Sequence, residues 1–139
     1  MKNNPTWLLV VAGALRAADG RVLMHRRPAG KAHAGLWEFP GGKVEAAETP
    51  GFALVRELQE ELGIVLDPAG MEPLGFAQQE PGEGERAIVI LLYTCRSWAG
   101  QPAALEGGEV GWFTLEQAAK LAKPPLDIAL LRQLARNAF

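Results

Sequence analysis

The chain has 139 residues, a formal net charge of −2 at pH 7, 48% hydrophobic residues and 22% charged residues. This length permits one domain, residues 1–139, with a real core, and is too short for two ordinary domains. The composition is that of a globular protein, and the charge excludes the basic surface that binds nucleic acid polymers or anionic membranes. Any partner from nucleotide chemistry is therefore expected to be a small molecule.

The single cysteine, Cys95, lies within an apolar run, so no intramolecular disulfide is possible and a buried, inert thiol is expected. This favours a reducing, cytoplasmic setting. The apolar segment 7–15 is too short for a membrane helix and continues into a strand-like partner. Neither a signal peptide nor a membrane span is expected.

The first third of the chain predicts two strands and a loop. Residues 7–15 and 21–27 have strand-like patterns, and the Asp19-Gly20 pair between them suits a hairpin turn. Residues 28–35 form a polar loop, and residues 36–39 form a short extended piece that leads into a Gly-Gly loop.

A helix follows the Gly-Gly loop. Thr49 is a suitable N-cap, Pro50 a suitable first residue, and Gly63 suits the left-handed position after the last turn. Apolar residues recur on one stripe at helical spacing, namely Leu54, Val55, Leu58 and Leu62. We therefore expect one face of the helix to pack on the core.

The second half predicts three strands and two helices. The strands are 73–79, 86–96 and the short 110–113, and the apolar run 87–92 indicates a central position for the second of them. Thr114 caps a helix through about Lys120, and Pro124-Pro125 interrupts the chain. A last helix over 126–137 is predicted to turn four residues inward: Ile128, Leu131, Leu134 and Ala135.

Three carboxylates fall on the face of the first helix next to its apolar stripe. Glu57, Glu60 and Glu61 stand at positions i, i+3 and i+4 and therefore converge within one turn. A solvated acidic face is the simpler interpretation. However, the acids lie in the C-terminal half of the helix, where the macrodipole disfavours negative charge. A bound divalent cation, magnesium or manganese, would relieve both conflicts and would suit a phosphate substrate.

The residues beside these acids have two interpretations each. Gly41 and Gly42 allow the backbone to approach a ligand closely, but Pro-Gly-Gly is also an ordinary tight turn. Arg56 is either a surface charge or the partner that holds a carboxylate by a charge-assisted hydrogen bond.

These residues together resemble the signature of the Nudix hydrolases. That signature reads Gly, five residues, Glu, seven residues, Arg-Glu-apolar-any-Glu-Glu-any-Gly-apolar. The matching residues are Gly42, Glu48, Arg56, Glu57, Leu58, Glu60, Glu61, Gly63 and Ile64. The resemblance implies an α/β fold, an α/β/α sandwich with a mixed sheet whose catalytic box is a loop-helix-loop, and hydrolysis of nucleoside diphosphates linked to another moiety with Mg²⁺ as the cofactor.

The resemblance also assigns roles. It makes Glu57, Glu60, Glu61 and the Gly41 carbonyl metal ligands, and it makes Arg56 the orienting partner of Glu57. Glu48 is a supporting or base-like carboxylate, and the residue that activates water stays open because it varies in the family. A metal-bound water of lowered pKa is the expected nucleophile.

The similarity continues outside the box and resembles the MutT-type branch. The residues that carry it are Arg26-Arg27-Pro28, the run from Leu36 to Lys43, Trp112, and Pro124-Pro125-Leu126-Asp127. This branch includes enzymes that convert oxidised dGTP to the monophosphate and pyrophosphate, and relatives that act on CTP or modified dCTP. It carries a further metal-linked glutamate, which is Glu106 here, with Glu109 as a competitor. A monomer or weak homodimer is expected.

The branch implies that Arg27 contacts the nucleotide and that Phe39 lines the base pocket, beside Glu38, Pro40 and Gly41. A surface cation and a core aromatic are the simpler interpretations of Arg27 and Phe39. His33 is expected to be an exposed loop residue.

Asp127 stands where an oxidised-guanine enzyme of the branch has Asn, and cytidine-directed relatives carry Asp there. An ionised Asp accepts hydrogen bonds only, which suits a donor edge such as the cytosine amine and opposes guanine O6 unless the acid is protonated in an apolar pocket. An N-cap of the last helix is the simpler role for Asp127. Oxidised dGTP is the first expected substrate and CTP or 5-methyl-dCTP the second. A Nudix-fold module that binds nucleotides without hydrolysing them is the rival class.

Overall fold

The computed structural model describes residues 6–82 and 86–137. Within those residues the chain forms nine strands, three α-helices and one short 3-10 helix, Pro68–Gly70. The strands are β1 (Leu8–Leu15), β2 (Val22–Arg26), β3 (Trp37–Glu38), β4 (Gly41–Lys43), β5 (Val65–Leu66), β6 (Met71–Gln79), β7 (Ile88–Cys95), β8 (Trp98–Ala99) and β9 (Glu109–Phe113). The helices are α1 (Pro50–Leu62), α2 (Leu115–Lys120) and α3 (Pro125–Arg136).

The largest sheet has the strand order β4-β1-β7-β6. Strand β1 runs parallel to β7 and antiparallel to β4, so the sheet is mixed. Strand β7 has a neighbour on both sides, as its apolar sequence predicted. A second sheet has the order β3-β2-β9, and β5 pairs with β8.

Alternate residues of β1 face two separate cores, because successive side chains of a strand point to opposite sides. Val11 and Leu15 pack with the buried leucines of α1, whereas Ala12 and Ala14 pack with those of α3. Helix α1 therefore covers one face of the sheet and α3 the other. This arrangement confirms the predicted α/β fold with an α/β/α sandwich.

Helix α1 begins and ends where its sequence predicted. Thr49 is the N-cap, and its hydroxyl accepts the Phe52 N–H at 3.2 Å. Gly63 follows the last turn at φ 74°, the left-handed conformation that favours glycine. Ala53 is buried with the three leucines of the predicted stripe, while Val55 is only half-buried at its edge.

Helix α3 turns a different face inward from the one predicted. Ile128 is 37% exposed and Ala135 is exposed, whereas Asp127 and Leu130 are buried together with the expected Leu131 and Leu134. Hydrophobicity alone placed Ile128 inside. The polar Asp127 takes an inward position instead because its carboxylate accepts a buried backbone N–H.

The predicted Gly-Gly loop is wrong for residues 41–43, which form the edge strand β4. Gly41 pairs with Ala12 and Gly42 with Val11. A β-carbon on Gly41 would overlap the Val11 carbonyl oxygen and the Ala12 α-carbon, so close strand packing requires glycine here.

Cys95 is buried, as expected, and burial raises the pKa of its thiol to about 12. Within residues 6–82 and 86–137, no helix is long and apolar enough to cross a membrane.

Candidate active site

Strand β4 brings the backbone of the Gly-Gly pair against the acidic face of α1. A β-carbon on Gly42 would overlap the carboxyl carbon and both carboxylate oxygens of Glu57. Glycine at this position therefore leaves the space in which the Glu57 carboxylate lies. The site is built where the edge of the sheet meets the helix.

Arg56 joins the carboxylates of this region. Its Nε donates to Glu48 at 2.6 Å and its Nη2 donates to the same carboxylate at 2.9 Å, a two-point pair. Its Nη1 lies 3.2 Å from both Glu57 and Glu60, and Nη2 also donates to the Lys43 carbonyl at 3.1 Å. One guanidinium thus contacts three acids and the end of β4, in agreement with the orienting interpretation of Arg56.

These pairs shift the acid-base equilibria in the expected directions. Hydrogen bonding from Arg56 lowers the pKa of Glu48 below its usual value. The same bond raises the pKa of Arg56 above its ordinary value. Burial raises the pKa of Glu57, an effect that Arg56 opposes and that Glu60 and Glu106 reinforce. Glu48 therefore stays ionised at neutral pH while Glu57 binds protons more readily.

Glu61 is the carboxylate of this group whose ionised form burial disfavours most. Burial, with the nearby charges of Glu38, Glu57 and Glu106, raises its pKa to about 8. Its Oε1 is buried and has no hydrogen-bond partner in the part of the chain that the structure describes. A buried oxygen without a donor costs free energy, so this atom requires a proton or a cation.

The donor set fits a hard divalent cation, because carboxylate oxygens are the ligands such a cation prefers. Among the described residues, however, no three His, Cys, Asp or Glu side chains converge as a preformed metal cluster. Arg56 lies between Glu57 and Glu60 and draws both toward its guanidinium. The orphaned Glu61 oxygen is the feature that fits a cation best.

The structure separates the two candidate acids near β9. Glu109 forms an ion pair with Arg26 at 2.9 Å on the neighbouring strand. Glu106 lies in the preceding loop, exposed, and its charge raises the pKa of both Glu57 and Glu61. Glu106 therefore belongs to the acidic group, and Glu109 is held elsewhere.

A cavity of about 320 Å³ lies on the α3 side of the same sheet edge. Its walls contain alternate apolar residues of β1 and β7, the whole of β4, and the first turn of α3. Predicted substrate residues that line it are Arg27, Glu38, Phe39, Gly41 and Asp127. Because Gly42 also lines it, this pocket and the Glu57 site share β4.

Asp127 forms the polar part of the pocket. Its Oδ2 accepts the Phe39 N–H at 3.0 Å, and its side chain is almost fully buried. Burial raises the pKa of Asp127 to about 7, against the opposing Phe39 hydrogen bond. The N-cap of α3 is Pro124 and not Asp127, so the capping interpretation of Asp127 is wrong.

The remaining predicted residues differ in their surroundings. Arg27 lies 3.2 Å from Glu38 and donates to the Ala32 carbonyl, which ties the 28–35 loop to the pocket. Burial raises the pKa of Glu38. Pro40 is buried behind the pocket, where its carbonyl accepts the Gly13 N–H at 2.9 Å, and it does not line the wall.

Sequence reasoning did not anticipate several pocket residues. His33 is exposed, as expected, but it lines the pocket from a left-handed backbone conformation at φ 60°. Ile88 and Ile90 line it because they register with Leu8 and Val10 on the parallel strand. Both strands alternate their side chains between the two faces of the sheet, and this alternation was the only sequence signal for the apolar wall. The register of two parallel strands cannot be read from the spacing of residues along the chain.

Comparisons with known proteins agree with this geometry. Residues 7–134 match the family model of the NUDIX domain. An 8-oxo-dGTP diphosphatase from Haemophilus influenzae is 39% identical over 90% of this chain and 89% of its own. A CTP pyrophosphohydrolase from Escherichia coli is 38% identical over 89% of each. A solved MutT structure, from work on Aliivibrio salmonicida and Vibrio cholerae, has a TM-score of 0.80 and 28% identity, covering 96% of this chain and 100% of its own.

The chain therefore belongs to the NUDIX family. Within the family it is a hydrolase of the MutT type, as the residues outside the box predicted.

Proposed function

We propose that the protein is a divalent-cation-dependent nucleoside triphosphate pyrophosphohydrolase that releases a nucleoside monophosphate and pyrophosphate. The observation that carries this proposal is the position of β4. One side of the strand holds Glu57 against Gly42, and the other side lines a pocket large enough for a base. A nucleotide whose base lies in this pocket would present its phosphates to the acidic group.

We assign the cation to Glu57, Glu60, Glu61, Glu106 and the Gly41 carbonyl, with Mg²⁺ as the first choice and Mn²⁺ as the second. Bound there, the cation would neutralise phosphate charge and lower the pKa of a water. The orphaned Oε1 of Glu61 supports this assignment.

The side chains of the chain itself have separate tasks in this proposal. Arg56 orients Glu57 and Glu60 and keeps Glu48 ionised through its two-point pair. Glu48 is then a base-like or supporting carboxylate. Arg27 contacts the nucleotide, Phe39 and Asp127 select the base, and the base held in the pocket places the phosphates at the acidic group for attack.

Oxidised dGTP is the first proposed substrate. Asp127 has a pKa of about 7, so a large share of it is protonated at neutral pH, and a protonated acid donates a hydrogen bond to guanine O6. The relative from Haemophilus influenzae named 8-oxo-dGTP diphosphatase supports this choice.

CTP or 5-methyl-dCTP is the second candidate. Its specific support is the carboxyl group of Asp127 itself, which when ionised accepts from the cytosine amine. The relative named CTP pyrophosphohydrolase supports the same choice.

The deciding measurement is kcat/KM for 8-oxo-dGTP, dGTP, CTP and 5-methyl-dCTP in the presence of Mg²⁺. We expect pyrophosphate release, with a preference of at least about tenfold for 8-oxo-dGTP over dGTP, since one good base contact is worth about 1–3 kcal/mol. Absence of pyrophosphate release from every triphosphate would disprove the proposal. A smaller preference would remove only the first substrate.

Glu57→Gln separates the enzyme from a nucleotide-binding module. An enzyme loses kcat by about a hundredfold or more, because several kcal/mol of transition-state stabilisation depend on the cation. Nucleotide binding by Asp127 and Phe39 should persist, which calorimetry with the monophosphate product would measure. A binding module has no turnover to lose.

We propose a cytoplasmic setting and a monomer or weak homodimer. Sedimentation at two concentrations would test the oligomeric state.

A further inference from the structure

His25 is a buried polar side chain on the central strand of the second sheet. It lies on β2, between β3 and β9, and only 5% of it is exposed. Leu23, two residues earlier, packs in the core with the leucines of α1, whereas Met24 packs on the α3 side. Because successive side chains of a strand alternate between its two faces, His25 points to the same side as Leu23. It therefore lies beyond the α1 core, on the side of the acidic helix.

The ring of His25 is hydrogen-bonded to the loop between β8 and β9, which carries Glu106. Its Nε2 lies 3.0 Å from the carbonyl oxygen of Gly107, the residue directly after Glu106. A carbonyl oxygen only accepts, so Nε2 carries the hydrogen and donates it. A β-carbon on Gly108 would overlap the Arg26 carbonyl oxygen and would lie 3.2 Å from Nε2. The loop is thus pressed directly against β2.

The residue before Glu106 is bonded to the acidic helix itself. The Leu105 N–H donates to the backbone carbonyl oxygen of Glu61 at 3.0 Å. The last carbonyls of a helix have no partner within it, so the loop satisfies the C-terminal end of α1. Glu106 is therefore held between two anchors, the backbone of a proposed cation ligand on one side and the His25 ring on the other.

We propose that His25 is a positioning residue for the cation site, whose Nε2–H holds the β8–β9 loop in the place from which Glu106 reaches the cation. This inference rests on the proposed function, which assigns the cation to the acidic group. Glu106 is exposed, so its carboxylate depends on the backbone anchors at each side rather than on packing of its own. Of the two anchors, the His25 bond is the one that a side-chain substitution removes.

The first test needs neither metal nor substrate. Amide hydrogen exchange of the full chain, followed by NMR, reports how often the bond from Leu105 to Glu61 opens. We expect the Leu105 amide to exchange about fivefold faster in His25→Leu than in the wild type, which is what one net hydrogen bond contributes. The Phe52 amide, bonded to Thr49 at the other end of α1, should be unaffected. An unchanged rate at Leu105, or an equal rise at Phe52, would overturn the proposal.

Two amide side chains at position 25 form a matched pair. His25→Gln places an N–H close to the position of Nε2, so it retains a donor for the Gly107 carbonyl and should keep the wild-type exchange rate at Leu105. His25→Asn is one methylene shorter and does not reach that carbonyl, so it must resemble His25→Leu. It also covers the case in which His25→Leu does not fold. Equal exchange rates in the two amide variants would overturn the proposal.

The second test measures cation affinity and not turnover. Mn²⁺ titration, followed by electron paramagnetic resonance of the free ion, should show about threefold weaker binding in His25→Leu, since one exposed acid attracts a cation weakly. Binding by His25→Gln should equal that of the wild type. In a Glu106→Gln background His25→Leu should have no further effect, because the carboxylate that it positions is gone. Equal weakening in both backgrounds would mean that His25 acts through general stability, and would overturn the proposal.

Glu109→Gln is the matched control, because it removes the Arg26 ion pair between β2 and the end of the same loop but leaves the His25 bond in place. Its Mn²⁺ affinity and its Leu105 exchange rate should stay within about twofold of the wild type. If the wild type binds no Mn²⁺ and hydrolyses no triphosphate, the proposed function fails, while the exchange of the Leu105 amide still decides whether His25 holds the loop.

Discussion

The two faces of the central sheet hold carboxylates by opposite means. On the α1 face, Glu48 is paired with Arg56 and its pKa is lowered. On the α3 face, Asp127 is buried beside one backbone N–H and its pKa is raised to about 7. A carboxyl group is thus kept ionised at neutral pH by pairing on one face, whereas burial on the other face brings its pKa close to neutral pH.

The difference separates two tasks. Acids that would bind a cation must be held in fixed positions, and the Arg56 guanidinium contacts Glu48, Glu57 and Glu60 at the acidic group. An acid that would recognise a base donates a hydrogen bond when it is protonated and accepts one when it is ionised. Burial in a low-dielectric pocket brings the pKa into the range in which both forms occur. Glu61 lies between these cases, because it belongs to the acidic group but is buried with an orphaned oxygen.

Breaking the paired face should have the largest effect. Arg56→Lys keeps a positive charge but cannot make the two-point pair with Glu48 while also contacting Glu57 and Glu60. We expect kcat to fall by about a hundredfold, with a smaller change in KM. Steady-state kinetics at saturating Mg²⁺ measure this, with exchange of the exposed Arg21 for Lys as the control. Wild-type turnover in Arg56→Lys would contradict the orienting role.

Metal addition should distinguish Glu61 from its neighbours. Mg²⁺ at about a hundred times its dissociation constant should stabilise the wild type over the EDTA-treated protein by about 2.7 kcal/mol. In Glu61→Gln this gain should largely disappear, while the metal-free stability stays equal or rises, because a neutral amide is buried without having to take up a proton. Differential scanning calorimetry checks both values. An undiminished response to Mg²⁺ in Glu61→Gln would exclude Glu61 as a ligand.

Neutralising the buried face should change the pH dependence of stability. The folded pKa of Asp127 is about 7, above its ordinary value of 3.8, so its stabilising contribution is complete below about pH 3.8 and is lost as pH rises through about 7. Asp127→Asn removes this loss. We expect it to be more stable than the wild type by about 1–2 kcal/mol at pH 8 and no more stable at pH 4. Urea unfolding at the two pH values measures the difference, and a pH-independent difference would contradict the assignment.

The smallest effect should come from the edge of the acidic group. Glu106→Gln is expected to reduce kcat/KM by about three- to tenfold, because an exposed acid interacts with a cation more weakly than a buried one. Glu109→Gln, which removes the Arg26 ion pair, should leave kcat/KM within about twofold of the wild type. The reverse order would assign the metal role to Glu109.

Local residue chemistry predicted the elements whose signals lie close together in the chain. The Thr49 and Gly63 caps defined α1 to within a residue, and the i, i+3, i+4 spacing placed the three acids on one face. Thr114 likewise predicted α2, where a reciprocal capping box with Gln117 is present. These signals operate over one or two turns and do not depend on what packs nearby.

Contacts between distant segments decided what local patterns did not. Gly41 and Gly42 became a strand because β1 and Glu57 occupy the space beside them, and α3 turned Asp127 inward because the Phe39 N–H required an acceptor. Both contacts join residues more than a dozen positions apart, which spacing does not encode.

The sequence by itself determined the family and the acidic helix, because these depend on residues within a short, regular stretch; the two-point pair of Arg56 with Glu48 came from the structure. Only the tertiary structure decided that Glu109 pairs with Arg26 while the charge of Glu106 acts on Glu57 and Glu61, and that Asp127 is buried against the Phe39 N–H. The physical reason is that charge and burial act through space. A carboxylate acquires its pKa from the elements that pack around it, and these come from the whole length of the chain.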